Sequence, residues 1–381
     1  MVIKILHIFL DEKFFDSIST FFDSLQNVEN YYYFYCKDKS PFKYIKKTDK
    51  IRILYDEKEY IKTISQLSMD IVYLHSLSPT FYKYILSIPK ECKIIWWAWG
   101  YDLYYDWRGC KSFISLPLYK EKTNNYKQKS GNTFAFRVKH ILRKFKNTIT
   151  YLADIRIRNN VLLRIDYFTP VIDSEFEIMK TNESFRAQPF MMKRGPGGLN
   201  NAHFEPLIHN KSMNILVGNS LTLTNNHLDV WEYFKECYRN ENQEYIFPVS
   251  YGNGIDIRFL KGVIKGNNIR WLDNFMPISE YNQLQTTVTH AVFGVIRQQA
   301  MGNIFRLLRS GVKVYLFKDS IVYKYLKDRG YIVYCIEDID KNSFLNPLSQ
   351  EDAITNYELE RYRSNDNKAY AESELVRIMT K

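Results

Sequence analysis

The chain has 381 residues, a length for which two domains of about 150–200 residues each are the natural expectation. Its 53 Lys and Arg residues against 42 Asp and Glu leave a formal charge of +11. That charge favours an anionic partner (nucleic acid, acidic phospholipid or a phosphate-bearing substrate), unless a general bias towards basic residues produced it. The five cysteines include no CxxC pair, which argues against a zinc ribbon or a disulfide framework. Because no uncharged apolar run of about 18 residues occurs, and Lys4 interrupts the N-terminal one, we predict a cytoplasmic protein without signal peptide or membrane span.

The first half of the chain alternates short apolar runs with helical spacing of apolar residues. Such runs predict buried parallel strands, because a strand covered on both faces is apolar almost throughout. The predicted strands are Val2–Phe9, Tyr31–Tyr35, Ile51–Leu54, Asp70–His75, Lys93–Trp97 and Asp166–Thr169. After the first strand, residues 11–25 have the periodicity of a helix, with Asp11 as its N-cap.

Three segments then interrupt this alternation. Residues 111–135 are polar and predict a loop or an excursion from the domain. Residues 136–164 predict a long basic helix, which is either a solvated face or a surface attracted to anionic lipid by about 1 kcal/mol per favourable basic residue. The run Gly-Pro-Gly-Gly at 195–198 predicts a hinge.

The second half repeats the pattern of the first. Its predicted strands are Asn214–Val217, Tyr245–Val249, Asn268–Leu272, Thr289–Val295, Val312–Phe317 and Tyr331–Ile336. Alternating strands and helices of this kind predict an α/β chain of two Rossmann-like domains, each with a parallel sheet. We place them at residues 1–200 and 201–345, with a helical tail at 346–381 that packs back on the first.

Ligands of open parallel sheets bind where the strands end at their carboxyl edge, so polar residues there are candidates. In the first domain these include His75, after the fourth predicted strand, and Asp102, after the fifth. Apolar neighbours of Asp102 such as Trp99 and Tyr101 would raise its pKa and suit it to accept a proton. The alternative for Asp102 is a solvated loop aspartate. The alternative for His75 is a core histidine, a description that also fits His7.

The second domain offers a larger set of candidates after its strands. They are Gly218, Asn219, Ser220, Ser250, Tyr251, Arg297, Gln298, Gln299, Gly302 and Asn303. Gly218 permits either a close backbone approach to a ligand or an ordinary turn. Arg297 follows a buried strand and needs an anionic partner, which is either a diphosphate bound in bidentate geometry or a carboxylate of the protein.

The sequence does not predict a nucleotide site or a metal site of the other standard kinds. The chain contains neither GxGxxG nor GxxxxGK[ST], so Rossmann dinucleotide and P-loop sites are disfavoured. Asp338-Ile339-Asp340 has the DxD form of a nucleotide-bound metal site, but it follows the last predicted strand and reads as a solvated loop.

Three segments, in order, resemble a known family. They are Trp96–Tyr104, Ile215–Ser220 with Asn226-His227, and Arg297-Gln298-Gln299 with Gly302. They resemble the TDP-N-acetylfucosamine:lipid II N-acetylfucosaminyltransferases, glycosyltransferase family 56, over roughly residues 1–335. Trp97 stands where that family is expected to have histidine, a departure that bears on the identity of the sugar.

The resemblance implies a GT-B fold with a cleft between two Rossmann-like domains. It implies a dTDP-sugar donor, such as dTDP-4-acetamido-4,6-dideoxygalactose, and an undecaprenyl-diphosphate-linked saccharide as acceptor. Gly218, Asn219, Ser220, Arg297 and Gln298 would surround the donor. Asp102 would face the acceptor.

These observations lead to one hypothesis with three alternatives. We expect a sugar transfer without metal or other cofactor, in which Arg297 and the helix at Gly302 stabilise the diphosphate and Asp102, or else His75, takes the acceptor proton. The basic helix would hold the enzyme on the inner face of the cell membrane, and no nucleic acid is expected as a partner. The alternatives are a nonenzymatic nucleotide-sugar-binding protein with a degenerate site, a metal-dependent transferase using Asp338 and Asp340, and a nucleic-acid binder.

Overall fold

The computed structural model describes residues 2–36, 42, 45–46, 48–106, 111–130, 154–192, 213–237, 243–364 and 367–380. The chain forms two compact units. Unit 1 comprises Met1–Ser115, Arg143–Ala202 and Ser364–Lys381, and unit 2 comprises Leu116–Leu142 and His203–Arg363. The predicted hinge at 195–198 lies outside the described residues.

The described strands number thirteen and lie close to the predicted ones. They are β1 Ile3–Phe9, β2 Val28–Tyr35, β3 Ile51–Leu54, β4 Ile71–His75, β5 Lys93–Trp97, β6 Tyr167–Thr169, β7 Gln188–Pro189, β8 Asn214–Val217, β9 Tyr245–Pro248, β10 Ile269–Leu272, β11 Val288–Phe293, β12 Lys313–Leu316 and β13 Tyr334–Cys335. The short strand β7 was not predicted, because two residues are too few to show a period.

The helices complete the two units. They are α1 Phe15–Phe22, α2 Glu57–Ser65, α3 Tyr82–Ser87, α4 Tyr101–Tyr104, α5 Glu121–Ser130, α6 at residues 154–164, α7 Asp173–Met179, α8 His227–Phe234, α9 Ile257–Val263, α10 Ile278–Gln285, α11 Met301–Arg309, α12 Ile321–Asp328, α13 Gln350–Ser364 and α14 Asn367–Thr380. Among the described residues, no helix is both long enough and apolar enough to cross a bilayer.

Each unit is built on one parallel sheet. The strand order is β3-β2-β1-β4-β5-β6-β7 in unit 1 and β10-β9-β8-β11-β12-β13 in unit 2. In both, the first strand of the unit lies inside the sheet and the order reverses beside it. This reversal creates the crevice at the carboxyl edge where open parallel sheets bind ligands.

The C-terminal helices belong to different units. The side chains of Ala371, Leu375 and Ile378 on α14 are buried in the core of unit 1, together with β1 and α1. Glu372 on α14 also accepts a hydrogen bond from the backbone N–H of Gln26 at 2.9 Å. Of the tail predicted at 346–381, α14 therefore lies in unit 1, whereas α13 falls almost entirely in unit 2.

The prediction of a loop at 111–135 was wrong over α5. The Asp229 carboxylate on α8 accepts hydrogen bonds at the start of α5 from the backbone N–H groups of Lys122 (2.8 Å) and Thr123 (3.0 Å) and from the Thr123 hydroxyl (2.6 Å). A carboxylate there satisfies otherwise unpaired N–H groups and complements the helix dipole. Since Asp229 lies 106 residues after Thr123 in the sequence, no local pattern predicts this helix.

The prediction of Asp11 as an N-cap was also wrong. Helix α1 begins at Phe15, and the residue before it, Phe14, makes no side-chain capping bond. Asp11 Oδ1 instead accepts a hydrogen bond from the backbone N–H of Lys13 at 2.9 Å. This local turn ends the extended chain after β1 and leaves the Asp11 carboxylate at the carboxyl edge of the sheet.

The described part of the predicted basic helix uses two of its arginines inside unit 1. Arg164 bonds Asp166 at 2.8 Å and the backbone oxygens of Pro89 and Cys92 at 2.7 Å. The Arg158 guanidinium lies 3.9 Å from the centre of the Phe113 ring. These two side chains stabilise the unit, and residues 136–153 lie outside the described part of the chain.

Candidate functional site

Gly218 is required by the side chains that pack around it. It follows β8 with φ +69°, and a Cβ atom there would lie 2.5 Å from His227 Nε2 and 3.1 Å from Asn225 Oδ1. Any other residue would therefore suffer both a strained backbone and a collision. The space beside this glycine is occupied by the protein itself, as expected for an ordinary strand–helix turn.

Asn225 organises the loop that follows β8. Its Oδ1 accepts a hydrogen bond from the backbone N–H of Asn219 at 3.1 Å, and its Nδ2 donates to the backbone oxygen and the hydroxyl of Ser220, each at 2.9 Å. The side chain is fully buried. A buried amide with both ends satisfied holds this loop in one conformation.

A network of uncharged side chains connects the ends of β8, β9 and β11. Gln299 Nε2 donates to Asn219 Oδ1 at 3.1 Å, and Gln299 Oε1 accepts from the Thr224 hydroxyl at 2.6 Å. Asn219 Nδ2 in turn donates to the Tyr251 hydroxyl at 3.1 Å. The structure thus brings together Asn219, Ser220, Tyr251 and Gln299, which the sequence predicted as separate candidates.

Two predicted residues lie at the margin of this network. Ser250 is exposed after β9, and Asn303 is half-buried in the first turn of α11. Within the described part of the chain, no hydrogen bond connects either side chain to the network.

Gly294 allows the same loop to pass close to the end of β11. A Cβ atom on Gly294, just after β11, would lie only 2.2 Å from the backbone oxygen of Asn225. Asn226, held in the left-handed conformation with φ +48°, donates from Nδ2 to the Gly294 oxygen at 2.6 Å. Gly294 is not among the candidates predicted from the sequence, because nothing local shows that a backbone segment crosses it.

We therefore expect Gly294→Ala to destabilise unit 2 by about 1–3 kcal/mol, because the added methyl group must displace the backbone that positions Asn225. Urea unfolding followed by circular dichroism measures this loss. Gly262→Ala is the matched control, since a Cβ atom on Gly262 in α9 meets nothing within 4 Å. Alanine favours a helix interior over glycine, so the control should gain about 0.5–1 kcal/mol. An unchanged midpoint for Gly294→Ala would contradict the predicted collision.

Arg297 lies between the network and the start of α11. It is buried, with 8% of its surface exposed, and its Nη1 donates to the backbone oxygen of Gln298 at 2.6 Å. Helix α11 begins at Met301, close to the predicted start, and a Cβ atom on Gly302 in its first turn would meet nothing within 4 Å. The side-chain oxygen of Gln298 is buried without a hydrogen-bond partner in the described part of the chain.

This arrangement suits an anion. A guanidinium supplies a permanent positive charge and several N–H donors, and the open first turn of a helix supplies backbone N–H groups and the positive end of its dipole. The network side chains beside them are amides and hydroxyls, which bind sugar hydroxyls without repelling a phosphate.

The DxD segment has a local structural role for one of its aspartates. Asp338 and Asp340 are exposed. Asp340 Oδ2 accepts hydrogen bonds from the backbone N–H groups of Asn342 at 3.1 Å and Ser343 at 2.9 Å. Within the described ranges, no group of three or more His, Cys, Asp or Glu side chains is placed to hold a metal ion.

In unit 1, both oxygens of Asp102 are occupied by donors of the protein. Oδ2 accepts hydrogen bonds from the backbone N–H of Leu77 at 2.9 Å and from Trp96 Nε1 at 2.8 Å, and Oδ1 accepts from the backbone N–H of Trp99 at 3.0 Å. Burial raises the pKa of Asp102, as predicted, but these hydrogen bonds oppose the increase. Asp102 therefore holds together the loops after β4 and β5, and its role as a proton acceptor stays a prediction.

His75 lies at the end of a chain of buried hydrogen bonds. Asn30 Nδ2 donates to Asp23 at 3.3 Å, which directs Asn30 Oδ1 towards His7 Nε2 at 3.0 Å. His7 Nε2 must therefore carry the proton, so His7 Nδ1 accepts from His75 Nε2 at 2.9 Å. The remaining nitrogen of His75, Nδ1, carries a lone pair.

Burial makes this lone pair a weak proton acceptor. Burial lowers the pKa of His7 to about 4, and it also lowers the pKa of His75 well below its usual range. His75 Nδ1 is enclosed and has no hydrogen-bond partner among the described residues. The alternative interpretation of both residues as core histidines accounts for this packing, and a catalytic role of His75 stays a prediction.

Comparison with known proteins identifies the architecture. No protein-family model matches the chain, and no curated protein matches it in sequence. The N-terminal domain of Candida albicans trehalose-6-phosphate phosphatase matches with TM-score 0.61 and 10% identity, covering 100% of this chain and 97% of that one. A glycosyltransferase from Rickettsia africae matches with TM-score 0.60 and 13% identity, covering 100% and 98%. An Escherichia coli trehalose-6-phosphate structure bound with UDP-2-fluoro glucose matches with TM-score 0.60 and 8% identity, covering 99% of each chain.

The chain has the GT-B fold. Two Rossmann-like units with parallel sheets of this strand order, matched over the whole chain, confirm that part of the prediction. At such low identities the likeness concerns the fold alone. The finer resemblance to glycosyltransferase family 56 rests on the sequence motifs.

Proposed function

We propose that the chain is a glycosyltransferase that takes a sugar from a nucleoside-diphosphate donor. The observation that carries this proposal is Arg297 beside the open first turn of α11, next to the uncharged network of Asn219 and Gln299. The first group suits a diphosphate and the second suits a sugar. The E. coli structure of the same fold that is bound with UDP-2-fluoro glucose supports a nucleotide-sugar donor.

The chemistry follows from where charge develops. As the bond between the anomeric carbon and the diphosphate breaks, negative charge grows on the departing oxygen. Arg297 and the backbone N–H groups of Gly302 and Asn303 would stabilise that charge. In metal-dependent transferases a bound divalent cation stabilises it instead. We therefore propose transfer without metal, for which full activity in excess chelator is the test.

The finer substrate assignment rests on the resemblance to family 56. We propose a deoxyamino sugar carried by dTDP, or by another nucleotide, and a lipid-linked saccharide of bacterial surface polysaccharide synthesis as acceptor.

The formal charge of +11 supports attraction to an anionic membrane face. We expect the protein to sediment with vesicles of phosphatidylglycerol and to remain soluble with vesicles of phosphatidylcholine. Absence from both pellets would contradict the membrane assignment.

Thermal-shift titration against dTDP, UDP, GDP and their sugars tests the donor proposal. A nucleotide present at about 100 times its Kd stabilises the folded protein by about 2.7 kcal/mol, which corresponds to a rise of roughly 5–10 °C in Tm. The nucleotide giving the largest rise is then assayed for transfer to a bacterial lipid extract by mass spectrometry. No shift with any nucleotide would overturn the proposal, and a shift without transfer or hydrolysis would favour the nonenzymatic binding protein.

A further inference from the structure

Three loops meet at the carboxyl edge of the unit 1 sheet. The strand register places Phe9 of β1 beside His75 of β4, and His75 beside Trp97 of β5, so the three strands end side by side. The Phe14 ring, from the loop after β1, packs edge-to-face on Trp99 with centroids 5.4 Å apart. The loops that carry residues 10–14, 76–78 and 98–101 are therefore neighbours.

Ser76 and Tyr101 join two of these loops by a hydrogen bond between their hydroxyl groups. Ser76 has φ +88°, a conformation that costs a residue with a side chain about 1–3 kcal/mol. Such strained residues concentrate at functional sites, where the surrounding structure holds them in place. Tyr101 is 38% exposed and Ser76 is 1% exposed, so this hydrogen bond joins a buried loop to a residue at the surface.

Asp11 is a carboxylate at this edge whose Oδ2 makes no hydrogen bond to the described residues. It is half-buried, and only Oδ1 takes part in a hydrogen bond between described residues, with the N–H of Lys13 at 2.9 Å. The packing of Phe14 on Trp99 places the loop that carries Asp11 beside the loop that carries Tyr101. Burial and Asp102 raise the pKa of Tyr101, and the charge of Asp11 adds to the increase.

The other two acid–base candidates are less suited to the same task. Both oxygens of Asp102 accept hydrogen bonds that connect two loops. If they bound an acceptor instead, the backbone N–H groups of Leu77 and Trp99 would lose their hydrogen bonds. His75 is 1% exposed, and its free nitrogen is enclosed by the core. A proton acceptor must reach the hydroxyl group that it deprotonates, and of these three side chains only Asp11 faces accessible space.

We propose that Asp11 is the catalytic base of the sugar transfer and that Ser76 and Tyr101 position the acceptor hydroxyl beside it, an inference that rests on the proposed function. Asp11 Oδ2 takes the proton of the acceptor hydroxyl while an electron pair of that oxygen forms the bond to the anomeric carbon. The bond from this carbon to the diphosphate oxygen breaks, and its electron pair leaves with the nucleoside diphosphate. A single displacement of this kind inverts the anomeric configuration.

The test is the variant Asp11→Asn, assayed with the donor found by thermal shift. Asparagine still accepts the Lys13 hydrogen bond, so Tm and the donor-induced thermal shift should not change. We expect kcat to fall roughly 100- to 10,000-fold, the usual contribution of a general base. Asp11→Ala should regain activity with added formate, which replaces the missing carboxylate and does not rescue a structural defect. Glu12→Gln, one residue along the same loop, is the matched control and should keep activity within about threefold of wild type.

The positioning residues have a separate readout. Tyr101→Phe should raise KM for the acceptor more than it lowers kcat, because it removes a contact to the acceptor and leaves the base in place. Near-normal kcat in Asp11→Asn, no formate rescue of Asp11→Ala, or retained anomeric configuration in the product would overturn the inference while leaving the proposed function intact. Absence of any transfer by the wild-type protein would instead overturn the proposed function itself.

Discussion

Replacing Arg297 with alanine should lower kcat/KM for sugar transfer roughly 100- to 1,000-fold, the loss seen when one preorganised donor to a developing oxyanion is removed. The guanidinium is buried and already directed by its bond to the Gln298 oxygen, so it is not reorganised during the reaction. Steady-state kinetics with the donor identified by thermal shift measures the effect. The donor-induced rise in Tm should shrink as well, because the same charge binds the ground-state diphosphate.

Two variants make this result specific. Arg297→Lys keeps the charge but not the planar pair of donors, so we expect an intermediate loss. Arg306→Ala removes a cation from the last turn of the same helix, away from the N–H groups of the first turn, and should leave turnover within about threefold of wild type. Near-normal turnover in Arg297→Ala would exclude the residue from the donor site.

Replacing Glu175 with glutamine should make the stability of unit 1 less dependent on pH. Glu175 is fully buried at the start of α7, where it accepts hydrogen bonds from the Tyr104 hydroxyl at 2.7 Å and the backbone N–H of Val171 at 3.0 Å. Burial raises its pKa from 4.5 to about 7. Because the folded state holds this proton more tightly than the unfolded state, the associated stability is full below pH 4.5 and is lost as pH rises to about 7.

The expected size of this effect is about 3 kcal/mol, since each pKa unit corresponds to about 1.4 kcal/mol. Glutamine can accept from the backbone N–H groups through its oxygen and donate to the Tyr104 hydroxyl, so the packing is kept while the titration is removed. Above pH 7 the variant should therefore be more stable than the wild type, and the advantage should vanish near pH 5. Urea midpoints measured between pH 5 and 8 give this difference.

Glu177→Gln is the matched control for this comparison. Glu177 lies on the same helix, but it is exposed and pairs with Lys180 at the surface. Its substitution should give curves parallel to those of the wild type. Parallel curves for Glu175→Gln as well would show that Glu175 does not titrate between the two states.

The strands and the fold class were readable from the sequence. Ile51–Leu54, Lys93–Trp97 and Asn214–Val217 are predicted and observed with identical bounds, because short runs rich in Ile, Val, Leu and Trp favour strands. Gly311, which follows α11 closely, adopts the left-handed conformation in which glycine commonly ends a helix, with φ +76°. In each case the signal lies within a few neighbouring residues.

The helix α5 and the roles of the polar residues were decided only by the tertiary structure. The cap of α5 comes from Asp229, and the reason for Gly218 is the ring of His227. Asp102 follows a strand end just as a catalytic base would, but its hydrogen-bond donors include Leu77 and Trp96, which spacing along the chain does not reveal. Asp11, by contrast, reads as a helix cap until α1 is seen to begin at Phe15.

The sequence by itself therefore determined the two α/β units and the set of polar residues at their carboxyl edges, since both depend on local apolar periodicity. Tertiary structure decided which of those residues form hydrogen bonds within the protein and which can bind a ligand. The physical reason is that a hydrogen-bonding group is available for binding or catalysis only when the fold has not already paired it, and the partners come from distant parts of the chain.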